Sequence, residues 1–333
     1  MAGLEHLKSL SIQGQERLTD DDTDQLLKFT ELEELDVSGC SGLSDAAIRK
    51  LAALKKLRGL KAGGTTMHGT GFDSWADHPL VSLSLEYHKG LNAEGLRAIA
   101  AMPGLRQMWL FAETSLSPLA QMPSLTELHL RGQPTDDDFH AVGKLSLLEV
   151  LTARDASAVT DAGVLKLGNC HKLFVLKLRN ATQLSDDCAK LAQSVPALRE
   201  LRLSSSGLTN EGLAAFARCK RLRSLDVSWS ANVGRGEMKF LAGCENLIEL
   251  NLQYCTALDD AGLKSLGALD QLRTLRIGGG SYTHEGMRAL KVLKNLERLD
   301  FGDFDPRSAD TPKDLDVVTE IRKALPRTAI PYW

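Results

Sequence analysis

Long apolar runs, paired cysteines and aromatic residues are all scarce in this sequence, and each shortage removes a class of protein. No segment approaches the roughly 18 consecutive apolar residues of a membrane-spanning helix. The opening stretch MAGLEHLKSLSIQ has neither the basic region nor the unbroken apolar run of a secretory signal, so a cytoplasmic location is expected. Charge of one sign is lacking too. The net charge is −3 and the isoelectric point about 6.3, which argues against nucleic acid or a membrane surface as a partner. The six cysteines form no C-x-x-C pair, so zinc and thioredoxin-type chemistry has no motif to rest on. Aromatic residues make up only 5% of the chain, so the core is expected to be aliphatic.

Local signatures of catalysis are equally thin. GGGSYTHEG (Gly278 to Gly286) puts glycines before a helix start, but no Gly-Lys-Ser/Thr follows, so it reads as a tight turn rather than a phosphate loop. Met67, His68, Asp77 and His78 match no standard metal-ligand spacing. No Ser-His-Asp or Cys-His set can be assembled. The chain is therefore read as non-enzymatic, with no catalytic residue, metal or cofactor assigned.

What the sequence does contain is a repeat. In CENLIELNLQYCTALDDAGLKSL (Cys244 to Leu266), Leu250 and Leu252 alternate with Asn251 and Gln253 as in a strand. Leu263 and Leu266 then follow at helical spacing, behind Asp259 at an N-cap position. The last strand residue of each copy falls at Ile12, Val37, Ala62, Leu85, Leu110, Leu130, Ala153, Leu178, Leu203, Val227, Leu252, Ile277 and Phe301, so thirteen units recur at intervals of 20 to 25 residues. One strand and one short helix cannot bury their apolar faces alone and need copies stacked on both sides. Helix starts such as LSDAAIRKL, VTDAGVLKL and YTHEGMRAL repeat a capping Ser, Thr, Asn or Asp followed by an acid, which satisfies free N–H groups and complements the helix dipole. Cysteine recurs at fixed offsets from the strand, as a small buried hydrophobe would.

Two units depart from this rhythm. The third carries GGTTMHGTGFDSWADHP (Gly63 to Pro79) and is expected to be irregular. The unit ending at Leu130 is too short for a full helix, so Ser115 to Gln121 is expected to form a 3₁₀ turn. After Phe301 the pattern stops. Residues 305–333, with a helix from about Pro312 to Leu325, read as a capping segment on a repeat array covering 1–304. The outer faces of Leu4, Leu7, Leu10 and Ile12 lack a counterpart, so residues Met1 to Leu4, another chain or a preceding domain is expected to cover that end.

The C-x-x-L-x-x-L-x-L-x-x-C frame followed by [TS]-D-x-x-[LI], carried best by Cys170 to Leu191 and Cys244 to Leu266, resembles the cysteine-containing subfamily of leucine-rich repeats. Substrate receptors of F-box ubiquitin ligases and bacterial TDAGL-type repeat proteins share that frame. No F-box-like helical segment is read ahead of the first repeat. The resemblance implies an α/β leucine-rich-repeat solenoid, a curved structure with a parallel sheet on its concave side and short helices on its convex side. It also implies a binding module without catalysis of its own.

In such a fold, the residues three before, one before, one after and two after each strand-end marker face the open side of the sheet. Tyr87, Trp109 and Phe111 put aromatic rings there, and His129, Arg131, Arg154, Lys177, Arg179 and Arg202 make the next four strands basic. Like charges stacked across strands repel by a few tenths to about 1 kcal/mol per pair unless neutralised. Two readings follow: a groove for an acidic or phosphorylated protein partner, or pairing with Glu127, Asp155, Glu200 and Asp226 on the same face. His88 and His129 are expected near Glu86 and Glu113, as interface polar groups. Further along, the face carries Asp226, Trp229, Asn251, Tyr254, Arg276, Arg298, Asp300 and Asp303, with Trp229 and Tyr254 either a second aromatic contact or packed over the rim. The expected function is protein binding through this face. The alternatives are the substrate-recognition part of a larger enzyme, such as a ubiquitin ligase or bacterial effector, and a receptor for a phosphorylated or polyanionic ligand.

Overall fold

A computed structural model of the chain describes residues 6–302 and 312–331. Each repeat contributes one strand: β1 Ser9–Ser11, β2 Glu34–Asp36, β3 Gly59–Lys61, β4 Ser82–Ser84, β5 Gln107–Ala112, β6 Glu127–Gly132, β7 Val150–Ala153, β8 Val175–Leu178, β9 Glu200–Leu203, β10 Ser224–Asp226, β11 Glu249–Gln253, β12 Thr274–Gly278 and β13 Arg298–Asp300. The chain forms two compact units. One spans Met1–Asp155 with Lys166–Leu173 and holds β1–β7; the other spans Ala156–Leu165 with Phe174–Trp333 and holds β8–β13. Within each unit the strands pair in parallel and in chain order, so equivalent residues stand side by side. Leu10, Leu35, Leu60, Leu83, Met108, Leu128 and Leu151 form one such row. Leu176, Leu201, Leu225, Leu250, Leu275 and Leu299 form another.

Those rows are the core. From Leu35 onward their members are at most 2% exposed, and a fully buried side chain of this size contributes about 1.5–3 kcal/mol. Leu10 and Ile12 in the first repeat are only half-buried. The alternate strand residues face solvent, because successive side chains leave a strand on opposite sides.

The return segments carry the expected caps: Ser44, Asn92, Thr135, Ser185, Thr209, Asp259 and Thr283 each accept a hydrogen bond from a first-turn N–H. The acid after the cap does more than complement a dipole: it staples the next repeat. Asp186 accepts from Thr209 N, Thr209 Oγ1 and Gly212 N at 2.8, 2.6 and 3.0 Å. Asp20 binds Ser44, Asp161 binds Ser185 and Asp260 binds Thr283 in the same way. The first repeat differs from expectation. Asp22 folds back on Thr19 N and Oγ1, and its helix is the single turn Thr23–Leu26 with no side-chain cap.

All six cysteines are buried and unpaired. Cys40, Cys170, Cys219, Cys244 and Cys255 each direct Sγ at a carbonyl of the preceding repeat, 3.2–3.8 Å away. A small residue with a weak donor suits that place. Burial pushes the Cys170, Cys219 and Cys244 thiols up to about 11 and Cys255 to about 12.

The irregular third repeat packs as a 3₁₀ segment, Thr70–Trp75, whose Trp75 is fully buried and donates Nε1–H to the Ile48 carbonyl at 2.9 Å. The short unit forms the 3₁₀ turn Ser117–Gln121. The helix Pro312–Ala324 lies against the preceding helix, where Glu320 bridges Arg288 and Lys291, and Leu299 N donates to Ala329 O at 3.0 Å.

Candidate functional site

The site is built on one backbone peculiarity. Two residues beyond the strand-end marker, the chain turns through left-handed φ. Gly14, Gly39, Gly64, Gly132 and Gly279 occupy this position in five repeats, with φ between 66° and 77°. Glycine is the inexpensive choice there because a Cβ clashes with the neighbouring carbonyl. In other repeats the same left-handed position holds Asn180 (φ 56°) and Ser205 (φ 61°), and three aromatics, Tyr87 (φ 62°), Trp229 (φ 65°) and Tyr254 (φ 58°). Tyr87 is 63% and Trp229 58% exposed. Bulky side chains on strained backbone, facing water, are not placed there by packing.

In the first unit, these residues form a compact aromatic and charged cluster. The Arg131 guanidinium sits over the Tyr87 ring, 4.1 Å from its centroid, while Nε and an Nη contact Glu86. Trp109 stacks on His129 at 4.7 Å, and His129 Nδ1 lies 2.9 Å from Thr152 Oγ1. Phe111 lies beneath Lys89, which in turn reaches Glu113 at 3.7 Å. Of the two readings of the basic residues, internal pairing therefore holds at Arg131, although its acid, Glu86, comes from two strands away.

In the second unit, Lys177 pairs with Glu200 at 2.8 Å, and Arg202 Nε lies 2.8 Å from Asp226 Oδ2. The Arg202 N–H points off the carboxylate, so this is an ion contact rather than an aligned hydrogen bond. These two cations are also neutralised internally. Arg154 in the first unit and Arg179 in the second are exposed, and neither side chain is ion-paired among the described residues. Trp229 and Tyr254 stack on each other, ring centroids 3.9 Å apart. They flank a groove of about 560 Å³ whose lining includes Arg179, Arg202, Asp226, Asn251, Arg276 and Asp300. Arg276, which the repeat frame places on this face, is half-buried there. Asp303 lies outside the described residues.

His88 requires a correction. It does not join His129 on the open face but is turned inward and is 2% exposed. It occupies the position three beyond the marker, where other repeats bury Cys40, Thr65, Ala156, Ala181, Ser206, Ser230 and Cys255. Neither ring nitrogen makes a hydrogen bond of normal geometry, although the Met67 carbonyl is near. Burial lowers its proton affinity. His78 is likewise buried, with Nε2 3.0 Å from the Leu54 carbonyl. His68 is exposed beside Asp45, and no metal-type cluster of acidic, His and Cys side chains exists among the described residues.

Parallel strands in chain order, each returning through a short helix or 3₁₀ turn over leucine rows, define a leucine-rich-repeat solenoid. The comparisons agree: this is a leucine-rich-repeat protein. The Leucine Rich repeat family pattern matches residues 196–217 and 243–267. An internalin from Listeria monocytogenes superposes over 98% of this chain and 87% of its own, with a TM-score of 0.68 at 18% identity. A putative RNA-binding protein of Caenorhabditis elegans is 24% identical over 300 residues, which cover 82% of this chain and 40% of the relative. A putative F-box/LRR-repeat protein of Arabidopsis thaliana is 36% identical over 112 residues, 30% of this chain and 24% of the relative. The chain thus spans less than half the length of these curated relatives. No described helix is long and apolar enough to cross a membrane.

Proposed function

We propose that this chain is a protein-recognition module, without catalysis of its own, that holds a partner on the solvent-facing side of its strands. The observation that carries this reading is the presence of Tyr87, Trp229 and Tyr254 on left-handed backbone, in a position that five other repeats fill with glycine. Tyr, Trp and Arg are the side chains that most often dominate binding interfaces. Tyr87, Trp109, Phe111, His129 and Arg131 form one contact patch; Arg179, Trp229 and Tyr254 anchor a second, and Arg154, Lys177 and Arg202 add charge around them.

Immobilised intact chain is compared with the triple variant Trp109→Ala, Arg154→Ala, Arg179→Ala and with a helix-side control, Arg218→Ala, in capture from an extract of the source organism. Proteins retained by the intact chain and by the control should be lost from the triple variant, which should stay folded and lose no more than about 1.5 kcal/mol with the Trp109–His129 stack. Equal retention by all three proteins would remove the strand face from consideration.

The partial span of the F-box/LRR-repeat relative supports a second reading, in which the module recognises substrates for a larger ubiquitin-ligase-type protein. Six reduced, buried cysteines favour a reducing compartment such as the cytoplasm. The contacts of Glu320 and Ala329 with the last repeats support assigning residues 305–333 as a cap on the array of residues 1–304.

A further inference from the structure

The groove of the second unit holds two carboxylates that are already committed and two guanidinium groups that are not. Asp226, 6% exposed, accepts from Ser228 N and Oγ at 3.0 and 2.7 Å and faces Arg202. Asp300, 4% exposed, accepts from Gly302 N at 2.9 Å and has Arg298 Nη2 at 3.4 Å. Arg276 is the lateral neighbour of Asp300 across the β12–β13 pair, yet that carboxylate is turned to other donors. Among the described residues, neither Arg276 nor Arg179 has an ion-pair partner, and both line the groove. Opening a half-buried guanidinium onto a groove without a counter-ion is electrostatically unfavourable until an anion arrives.

The spacing of these two cations says what kind of anion fits. Arg179 follows β8 and Arg276 lies on β12, four strands along, so their backbones are about 19 Å apart at the ~4.8 Å strand separation. An extended peptide covers that distance in about six residues at ~3.3 Å each. Between the two ends lie the hydroxyl and amide groups of Ser204, Ser228, Asn251 and Gln253, suited to the polar groups of a peptide backbone. The stacked Trp229–Tyr254 pair beside them offers a flat apolar platform. A lone small anion would engage one end only and leave this platform unused.

Building on the strand-face reading above, we propose that this groove binds an extended acidic segment of a partner protein. The segment lies across β8–β12, with one carboxylate at Arg276, a second about six residues away at Arg179, and a flat side chain, tryptophan or proline, on Trp229–Tyr254.

The probe is a fluorescein-labelled peptide, Glu-Ser-Gly-Trp-Pro-Gly-Glu, titrated with the full chain and followed by anisotropy. Its controls have both glutamates replaced by glutamine, or by phosphoserine. The glutamate peptide should bind, weaken at least tenfold in the glutamine form, and weaken at least tenfold for Arg276→Gln and for Trp229→Gly, both of which should melt within about 2 °C of the parent. Higher salt should weaken it further. Arg276→Lys should retain part of the affinity. Absent or charge-independent binding would overturn the proposal, as would indifference to Arg276→Gln. Binding of only the phosphoserine form, or equal competition by inorganic phosphate, would overturn the carboxylate-peptide assignment in favour of a phosphate site. If the peptide fails while the strand-face triple variant still loses its captured proteins, the acidic-segment assignment alone falls. If capture is also unaffected, the strand-face reading falls with it.

Discussion

Trp229 and Tyr254 stack with ring centroids 3.9 Å apart and planes 19° from parallel, each on left-handed backbone. The next equivalent residue, Gly279, leaves space for them: a Cβ there would lie 2.9 Å from Tyr254 Cδ1. Left-handed backbone costs a non-glycine residue about 1–2 kcal/mol, and an aromatic pair returns about 0.5–1.5 kcal/mol. The pair is therefore close to neutral for folding. Trp229→Gly should leave the melting temperature within about 2 °C of the parent, because relief of strain offsets the lost stack and the greater freedom of the unfolded chain. Trp229→Val keeps the strain, loses the stack, and should be the less stable of the two by at least about 1 kcal/mol. A large loss of stability in Trp229→Gly, read by calorimetry, would make the tryptophan a structural residue instead.

An acid that follows a cap and reaches the next repeat, such as half-buried Asp186, should matter more for stability than its place on the surface suggests. Asp186 receives three hydrogen bonds from the next repeat, and bonds to a charged group contribute about 1.5–3 kcal/mol each in favourable cases. Discounting for solvent and for the water that replaces the carboxylate, Asp186→Ala should lose about 2–3 kcal/mol in urea denaturation. An exposed acid without cross-repeat bonds, such as Asp137, should lose less than about 0.5 kcal/mol.

Most of the fold was legible because it is periodic. The L-x-x-L-x-L frame places the strands, the cap residues place the helix starts, and the shortened unit at Ser117–Gln121 has room only for a 3₁₀ turn. The site was legible at the level of side-chain type and face: Trp109, Arg131 and Tyr254 stand where alternation puts them. Pairing was not legible, because Glu86 reaches Arg131 across two strands and 45 residues, and no local spacing encodes which of several acids wins. Two further signals lie in the repeat frame itself. Glycine at Gly14, Gly39, Gly64, Gly132 and Gly279 marks a left-handed position, against which Tyr87 and Trp229 stand out by residue type alone. Small residues at Cys40, Ala156, Ser206 and Cys255 mark the position three beyond the marker as inward, and that position in the fourth repeat is His88.

That inward histidine gives the chain an acid-sensitive element. Burial lowers the proton affinity of His88 and His78 in the folded state, whereas the unfolded chain protonates them near the ordinary histidine value of about 6.5. The unfolded state binds more protons in that window, so stability is full above it and falls as pH drops through it. Asp45 and His68 face His88 electrostatically, with opposite effects. The urea midpoint should therefore be lower at pH 5.5 than at pH 7.5, and His88→Met should reduce that difference while His78 retains its share. Identical pH dependence in parent and variant would remove His88 from this role.

Trp75 and Trp109 lie in different environments and should behave oppositely when truncated. Trp75 is fully buried, tilts against Phe72 and His78 at 5.6 and 4.3 Å, and donates to the Ile48 carbonyl. Trp75→Ala removes that packing and leaves a cavity, for a loss of about 3–5 kcal/mol. Trp75→Phe keeps most of the packing but strands the Ile48 carbonyl, for about 1–3 kcal/mol. Trp109 is half-buried and stacked on one face only, against His129, so Trp109→Ala should lose about 0.5–1.5 kcal/mol. Its larger effect should be on partner capture, which Trp75→Phe should leave intact. Chemical denaturation and capture measured on the same three variants separate the two roles, since a residue that serves packing moves the first readout and a residue that serves recognition moves the second.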